Sequence, residues 1–533
     1  MTEVLAGTHA RSRRRGPGVL LGAGITIIGL LFAAPFLYLL ISVVRSGSVL
    51  DVLGSGAIGR PLLNSLILGV SVSAAATVLG TLAAVLVQRA DVRGRRVLRI
   101  ALALPLVLPS YVGATALLAA TGVGGMLPFI PRPVGFWGAF AVLTIFTYPY
   151  AYLPVLARLT MIPTSTEEAA RVLGRSAWPT TWRVLLPQLR PAIAGGALLV
   201  FLYTLSDFGA VSLLRYDTLT RVIYSSRLLD RDLSLALGLI LAVLALAIAL
   251  LMRRAGVGAA PPLARTRWQP TITLGRWRSA VSAILLLPLL IGVVLPIVIF
   301  VYWVLRGGTT VGVGYSGWGD DLSFLVSPLL GSASAAITAG VVAVLVTLPV
   351  AYAVERRGGV LAELSGSVVT SVFALPGLVV ALAIITWTLG TPGPIGSLYQ
   401  TFPLLILAYV LHFGAQSLTG TRSAITAVPV RLEEAAESLG VPWRRRFLRV
   451  DLPLLLPGLL AAGGLVMLST MKELPATLML APIGFETLAT VIWGAAEDGF
   501  FAEVGITSIL LIALSGVLTW FLVLRKEFHD TQT

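Results

Sequence analysis

Twelve long apolar runs set the limits on what this chain can fold into. They lie at about 19–44, 62–88, 97–120, 135–160, 192–214, 233–252, 279–305, 329–354, 366–390, 402–426, 457–481 and 502–524. A helix crosses the hydrocarbon layer of a bilayer in about 20 residues. Lipid offers no water to backbone N–H and C=O groups, so each run must satisfy its own hydrogen bonds as a helix. Of the 533 residues 57% are hydrophobic and only 12% charged, about half the charged share of a soluble domain. The predicted fold class is an all-α integral membrane protein of about twelve transmembrane helices.

The first run follows the basic segment RSRRR (11–15) and starts like a secretory signal. It is longer than the roughly 7–15 apolar residues of such a signal, which predicts a retained first span. Net charge is +15. With the amino terminus inside, 30 of the 39 Lys and Arg fall in the terminal segments and loops of that side and 8 on the other, while Lys472 sits in a span. The bias predicts cytoplasmic amino and carboxyl termini. It also accounts for the basicity through anionic headgroups, without nucleic acid. There is no cysteine, which excludes disulfides and thiolate metal sites.

The segment 253–278 is basic, proline-containing and poor in large apolar residues. It reads as a linker between two six-span halves, 1–252 and 279–533. The halves repeat. EEAARVLGRSAWPTTWRVLLPQLRP (167–191) aligns without a gap on EEAAESLGVPWRRRFLRVDLPLLLP (433–457), 266 residues later. The offset pairs Glu167, Glu168, Ala169, Ala170 and Gly174 with Glu433, Glu434, Ala435, Ala436 and Gly440, and Asp207 with Glu473. Each stretch follows the fourth span of its half, so this is a parallel duplication.

Local chemistry predicts a helix-turn-helix in each copy. Ser165 with Glu168 fits a capping box after Pro163. The glutamates suit the positive end of the helix dipole, alanines favour helix, and Gly174 and Gly440 suit its stop. Pro187 and Pro191, like Pro453 and Pro457, are expected to break the second short helix and restart the chain as the next span. A single copy could be an ordinary surface loop; two copies in matching places point to docking on another protein.

The paired E-E-A-A-x-x-L-G stretches resemble the EAA loops of binding-protein-dependent ABC importer permeases of the MetI-like fold. The resemblance covers nearly the whole chain, and KELPATLMLAPIGFETLATVIW (472–494) looks like the second half of fused ferric-iron permeases. It implies a bacterial inner-membrane permease, multi-pass, whose EAA residues Glu167 to Gly174 and Glu433 to Gly440 engage a cytoplasmic ABC ATP-binding subunit in two copies. An extracytoplasmic solute-binding protein would deliver ferric iron, with thiamine, polyamine or phosphonate as alternative cargoes, and no cofactor is implied. The two lysines, Lys472 and Lys526, cannot complete G-x-x-x-x-G-K-[ST], so ATP would be hydrolysed by a separate subunit and this chain has no catalytic residues.

Ionisable groups inside spans are costly and are usually functional or paired. Asp207, Lys472 and Glu473 are the candidate translocation-path residues, the carboxylates also offering hard oxygen donors to a cation; a structural salt bridge is the competing role. No metal-ligand pattern is present. His412, alone in the tenth span, reads as packing. Tyr148, Tyr150 and Tyr152 with Pro149 and Pro154 suggest a kink in the fourth span. Arg215, Asp217, Arg221, Arg227, Asp230, Arg231 and Asp232 form a charged outer loop that a binding protein could dock on, or that water simply solvates. A rival fold is the major-facilitator type of secondary transporter, whose D-R-x-G-R-R signature Asp91-Val92-Arg93-Gly94-Arg95-Arg96 approximates; a membrane enzyme is the other class, and no phosphate loop or nucleophile motif supports it.

Overall fold

The computed structural model describes residues 18–47, 56–174, 176–254, 272–307, 322–391 and 393–519. The basic amino-terminal segment, most of the linker and the end of the twelfth run lie outside the described residues. Ten helices are long and apolar enough to cross a membrane, or twelve if two sharply bent helix pairs each count as one span.

The bent pairs correct the expected third and ninth spans. Arg95–Val107 with Ser110–Thr121 turns through 86°, and Val360–Val372 with Gly377–Gly390 through 112°. The cause is local. Pro109 and Pro376 sit just before the second helix of each pair; a proline ring bars helical geometry from the residue before it, and Leu108 is extended at ψ 132°.

A second correction concerns the fifth and eleventh spans. They begin at Thr181 and Trp443, earlier than hydropathy places them, and end at Ser206 and Met471. The prolines do not break them. Over Thr181–Leu185 the hydrogen-bond ladder widens to five residues, Leu186 N–H bonding Thr181 O, and Phe447–Asp451 widens likewise before Leu452. Each wide turn lies directly ahead of a Leu-Pro pair, Leu186-Pro187 or Leu452-Pro453. Proline lacks an N–H and its ring collides with the carbonyl four residues back; widening the preceding turn moves that carbonyl aside and lets the helix run on. The widening Leu290–Val294 ahead of Leu295-Pro296 follows the same rule.

Within each half the long helices meet through small residues, as lipid-embedded helices do. A methyl at Gly80 would lie 2.7 Å from Tyr148 O, and one at Gly340 would lie 2.8 Å from Gly463 O. The first helix of each half leans on the other half. In Val19–Ser46 the buried residues Ile25, Gly29, Phe32, Leu39 and Val43 form one stripe. Gly29 meets Ser365, Phe32 fills the space over Gly414, and Tyr38 donates to Gly390 O at 2.9 Å. Its counterpart Leu295–Arg306 sends Trp303 Nε1 to Ala119 O at 3.0 Å and Tyr302 to Gly124 O at 3.0 Å. The halves therefore interlock by exchanging arms. The linker emerges pinned to the first half, Ile272 N–H bonding Arg89 O at 2.9 Å and Leu274 N–H bonding Asp91 Oδ1 at 2.8 Å.

Because the Gly80 contact is with backbone, Gly80→Ala should cost about 1–3 kcal/mol by overpacking. A fall of several degrees in the thermal unfolding midpoint of the detergent-purified protein, followed by tryptophan fluorescence, is the expected result.

Candidate functional site

In each repeated turn the first glutamate is held from below by an arginine at the end of its half's second long helix. Glu167 is buried, and its Oε1 accepts from Arg89 Nε at 2.7 Å; Arg89, equally buried, also donates to Ile162 O at 2.9 Å. In the second copy Arg356 Nε forms an ion pair with Glu433 Oε1 at 2.7 Å and Arg356 donates to Val428 O at 2.6 Å. Val428 is Ile162 shifted by 266, whereas Arg356 is Arg89 shifted by 267. That slip of one residue hides the correspondence from ungapped alignment, so neither arginine is found from the sequence. The second copy is braced twice. Arg446 donates to Glu433 Oε2 at 3.3 Å, to Tyr352 at 3.0 Å and to Asp451 at 3.2 Å. Thr180 and Leu185 stand at the matching places of the first copy.

The turn helices are Ser165–Val172 and Val430–Ser438. Thr164 rather than Ser165 takes the cap place, its carbonyl accepting from Glu167 and Glu168 N–H. Gly174 and Gly440 end the helices at φ of +81° and +70°, with open space where a Cβ would stand; backbone conformation alone asks for glycine there. Beyond the buried glutamate, Glu168, Ala169, Glu434 and Ala435 are exposed, Ala170 is half-buried and Ala436 buried. Next to them Leu173 and Leu439, a repeat pair, are 83% and 81% exposed.

Asp207 and Glu473 stand at breaks that follow the fifth and eleventh spans, not inside straight helices. Asp207 Oδ2 accepts from the Ser110 hydroxyl, and Oδ1 accepts from Ala210 and Val211 N–H at 3.1 and 3.2 Å. It caps the short helix Gly209–Leu213. Glu473 Oε1 accepts from Ala476 N–H at 3.0 Å at the start of Pro475–Leu480. Opposite Ser110 the second half has Gly377, where a methyl would lie 2.7 Å from Glu473 Oε1 and 3.3 Å from His412 Nε2. The longer acid thus faces the missing side chain. The two breaks meet across the halves, Gly209 lying against Tyr111 and Leu474. Lys472 does not pair with either acid; Nζ donates to Leu106 O of the first half at 3.4 Å. His412 lies against Phe413 with the rings tilted at 55°, its Nδ1 without a protein partner among the described residues. Those residues hold no group of three His, Cys, Asp or Glu placed to bind a metal ion.

The fourth span, Phe136–Met161, runs on through Tyr148, whose φ of −55° and ψ of −28° are helical, into Pro149. Tyr148 and Tyr152 donate to Leu102 O and Arg99 O at 2.6 and 3.0 Å, tying it to the bent third span. On the side opposite the turns, a cavity of about 790 Å³ is lined by Arg132, Arg215, Arg221, Trp493 and Glu497, among others. Beneath it Phe208 lies between Tyr224 and Trp493, ring centroids 4.6 and 5.1 Å away. In the charged loop, Asp217 pairs with Arg221, Arg227 covers the Tyr224 ring at 3.6 Å, and Asp230 accepts from Leu233 N–H at 3.0 Å.

A duplicated bundle of membrane-spanning helices with a braced turn in each half is the build of a membrane permease. The chain belongs to the family of binding-protein-dependent transport system inner membrane components, which matches residues 76–256 and again 346–526. It is an ABC importer permease and a multi-pass inner-membrane protein. It is 30% identical over 514 residues to the Fe(3+)-transport system permease protein FbpB 2 of Haemophilus influenzae, covering 93% of this chain and 96% of that one. It is 25% identical to the ferric transport system permease protein FbpB of Actinobacillus pleuropneumoniae, over 95% of this chain and 78% of that one. The molybdenum transport system permease protein ModB of Mycobacterium tuberculosis matches 37% of this chain at 34% identity and 80% of its own length. These relatives are permease components rather than enzymes. Family membership also removes the secondary-transporter alternative; Asp91, which suggested it, holds the linker.

Removing one partner of a buried ion pair costs about 3–5 kcal/mol. Arg89→Ala should therefore lower the thermal midpoint and speed proteolysis of the first turn. Arg356→Ala should do less, since Arg446 still reaches Glu433. For the breaks, Gly377→Ser alone should reduce the yield of monodisperse protein and Gly377→Ser with Glu473→Asp should restore it, with a coupling energy of about 0.5–3 kcal/mol from a double-mutant cycle of unfolding midpoints.

Proposed function

We propose that this chain forms the translocation pathway for ferric iron, handed over by an extracytoplasmic binding protein and driven by two copies of a cytoplasmic ATP-binding subunit. In this reading 1–252 and 279–533 are the two MetI-like halves, 253–278 is their cytoplasmic linker, and both termini are cytoplasmic. The observation that carries the coupling role is the exposed pair Leu173 and Leu439. Each large apolar side chain stands in the open beside a glycine-stopped helix whose glutamate is locked to the membrane bundle. An exposed apolar side chain on a rigid support suits burial in a partner's groove. The buried Arg–Glu pair then passes the partner's movement into the second long helix of that half. Glu168, Glu434 and the small alanines give the partner a close, charged approach. Asp207 and Glu473 shape the bends along the path, Asp207 accepting from Ser110 and two backbone amides and Glu473 from one, which leaves Glu473 Oε2 to face the path.

Ferric iron is favoured because the matches to ferric permeases run through both halves, while those to molybdenum and sulfate permeases cover one half's length. In proteoliposomes with its ATPase and binding protein, the wild type should accumulate ferric iron with ATP and resist an uncoupler. Leu173→Asp and Leu439→Asp should each weaken retention of the ATPase subunit by roughly tenfold or more at normal expression. Full retention in both variants refutes the coupling role, and absence of iron uptake by the wild type refutes the cargo.

A further inference from the structure

The same 266-residue offset that pairs the turns also pairs the walls between the halves, and there the chemistry differs. Tyr150 and Tyr203 of the first half lie ring to ring at 5.1 Å. Their counterparts are Gln416 and Ser469, with Ser469 Oγ donating to Gln416 Oε1 at 2.9 Å. The counterpart of Ser206 is Lys472. All six are only partly covered. Lys472 stands at the boundary of the halves, since Met471 and Leu474 pack into the first half's core and Lys472 reaches Leu106.

Lys472 is short of partners. An ammonium has three donors, and its one protein contact, 3.4 Å to Leu106 O, is longer than a normal N–H···O bond. No ion pair among the described residues involves it. Ser469 lies one turn earlier, its carbonyl accepting from Lys472 N–H at 3.2 Å. With Gln416 Oε1 taken by Ser469, the amide N–H groups remain as further donors, without an acceptor among the described residues. An uncompensated charge in a low-dielectric wall is costly, and an anionic oxygen arriving beside it offsets that cost through charge-assisted hydrogen bonds.

We propose that Lys472, with Gln416 and Ser469, is an oxyanion-binding station on the second half's wall of the path, so that cargo crosses carrying a carboxylate or phosphate ligand and bare cations are repelled. The first half supplies an aromatic wall opposite. This deepens the importer reading and rests on the path running between the halves.

One test needs no cargo. In the assembled complex carrying Lys526→Arg, Lys472 is the chain's one remaining lysine. Its reaction with trinitrobenzenesulfonate, read at the Lys472 peptide, should slow about fivefold or more in citrate or inorganic phosphate relative to chloride at equal ionic strength. No reaction, or equal rates in all three salts, overturns the proposal. The second test is ferric citrate uptake. Lys472→Met should lose roughly tenfold while binding-protein-stimulated ATP hydrolysis persists, and Lys472→Arg should retain uptake. Moving the charge to its repeat partner, with Lys472→Ser and Ser206→Lys together, should recover uptake to within about threefold. Wild-type uptake by Lys472→Met overturns the proposal. So does a loss that Ser206→Lys fails to relieve, which would make Lys472 a local prop. If the wild type carries no iron, the cargo reading fails and the labelling result decides this one.

Discussion

A backbone amide in hydrocarbon has no water to bond, and each interruption of a helix in this bundle is built around that constraint. At the break after Ser206, Asp207 takes up two amides of the next short helix and Ser110 saturates the remaining oxygen. Glu473 does the same for Ala476. Where proline removes a donor, the turn before it widens instead of opening. The irregular backbone at these breaks thus has amides that the protein itself satisfies.

The duplication is preserved in geometry more strictly than in residue identity. Ser110 with Asp207 becomes Gly377 with Glu473, a side chain lost on one helix and a methylene gained on the other, so total volume at the contact is nearly kept. Arg89 becomes Arg356 with a one-residue slip, and both still reach the carbonyl just before the turn. Ser65 and Ser332 accept from the N–H of Leu219 and Leu488 at 2.8 Å in each half. What diverges is the bracing of the turns, where Arg446 joins Arg356 on Glu433 in the second half and Thr180 stands at its place in the first, and the pair Tyr150 and Tyr203 against Gln416 and Ser469, aromatic in one half and polar in the other. A fused chain permits this divergence, because each half evolves its own residues, whereas a dimer of one polypeptide cannot.

The exchange of first helices makes each half depend on the other for burial. Phe32 and Trp303 find their places across the boundary, so the sequence repeat and the packing unit are not the same object.

The sequence alone determined the membrane class, the number of crossings counted with bent pairs, the duplication and the two glycine-stopped turns, because all are local: apolar length, spacing and backbone preference read directly from neighbouring residues. It also carried the signals for the bends, in Pro109, Pro376 and the Leu-Pro pairs, although hydropathy averages over them and drew straight spans. The partners of Glu167 and Glu433, the meeting of Asp207 with Ser110 and of Glu473 with Gly377, the isolation of Lys472 and the exchange of arms were decided by tertiary structure alone. Each depends on residues tens to hundreds of positions apart, and a charge buried in a bundle takes its meaning from what the fold places beside it.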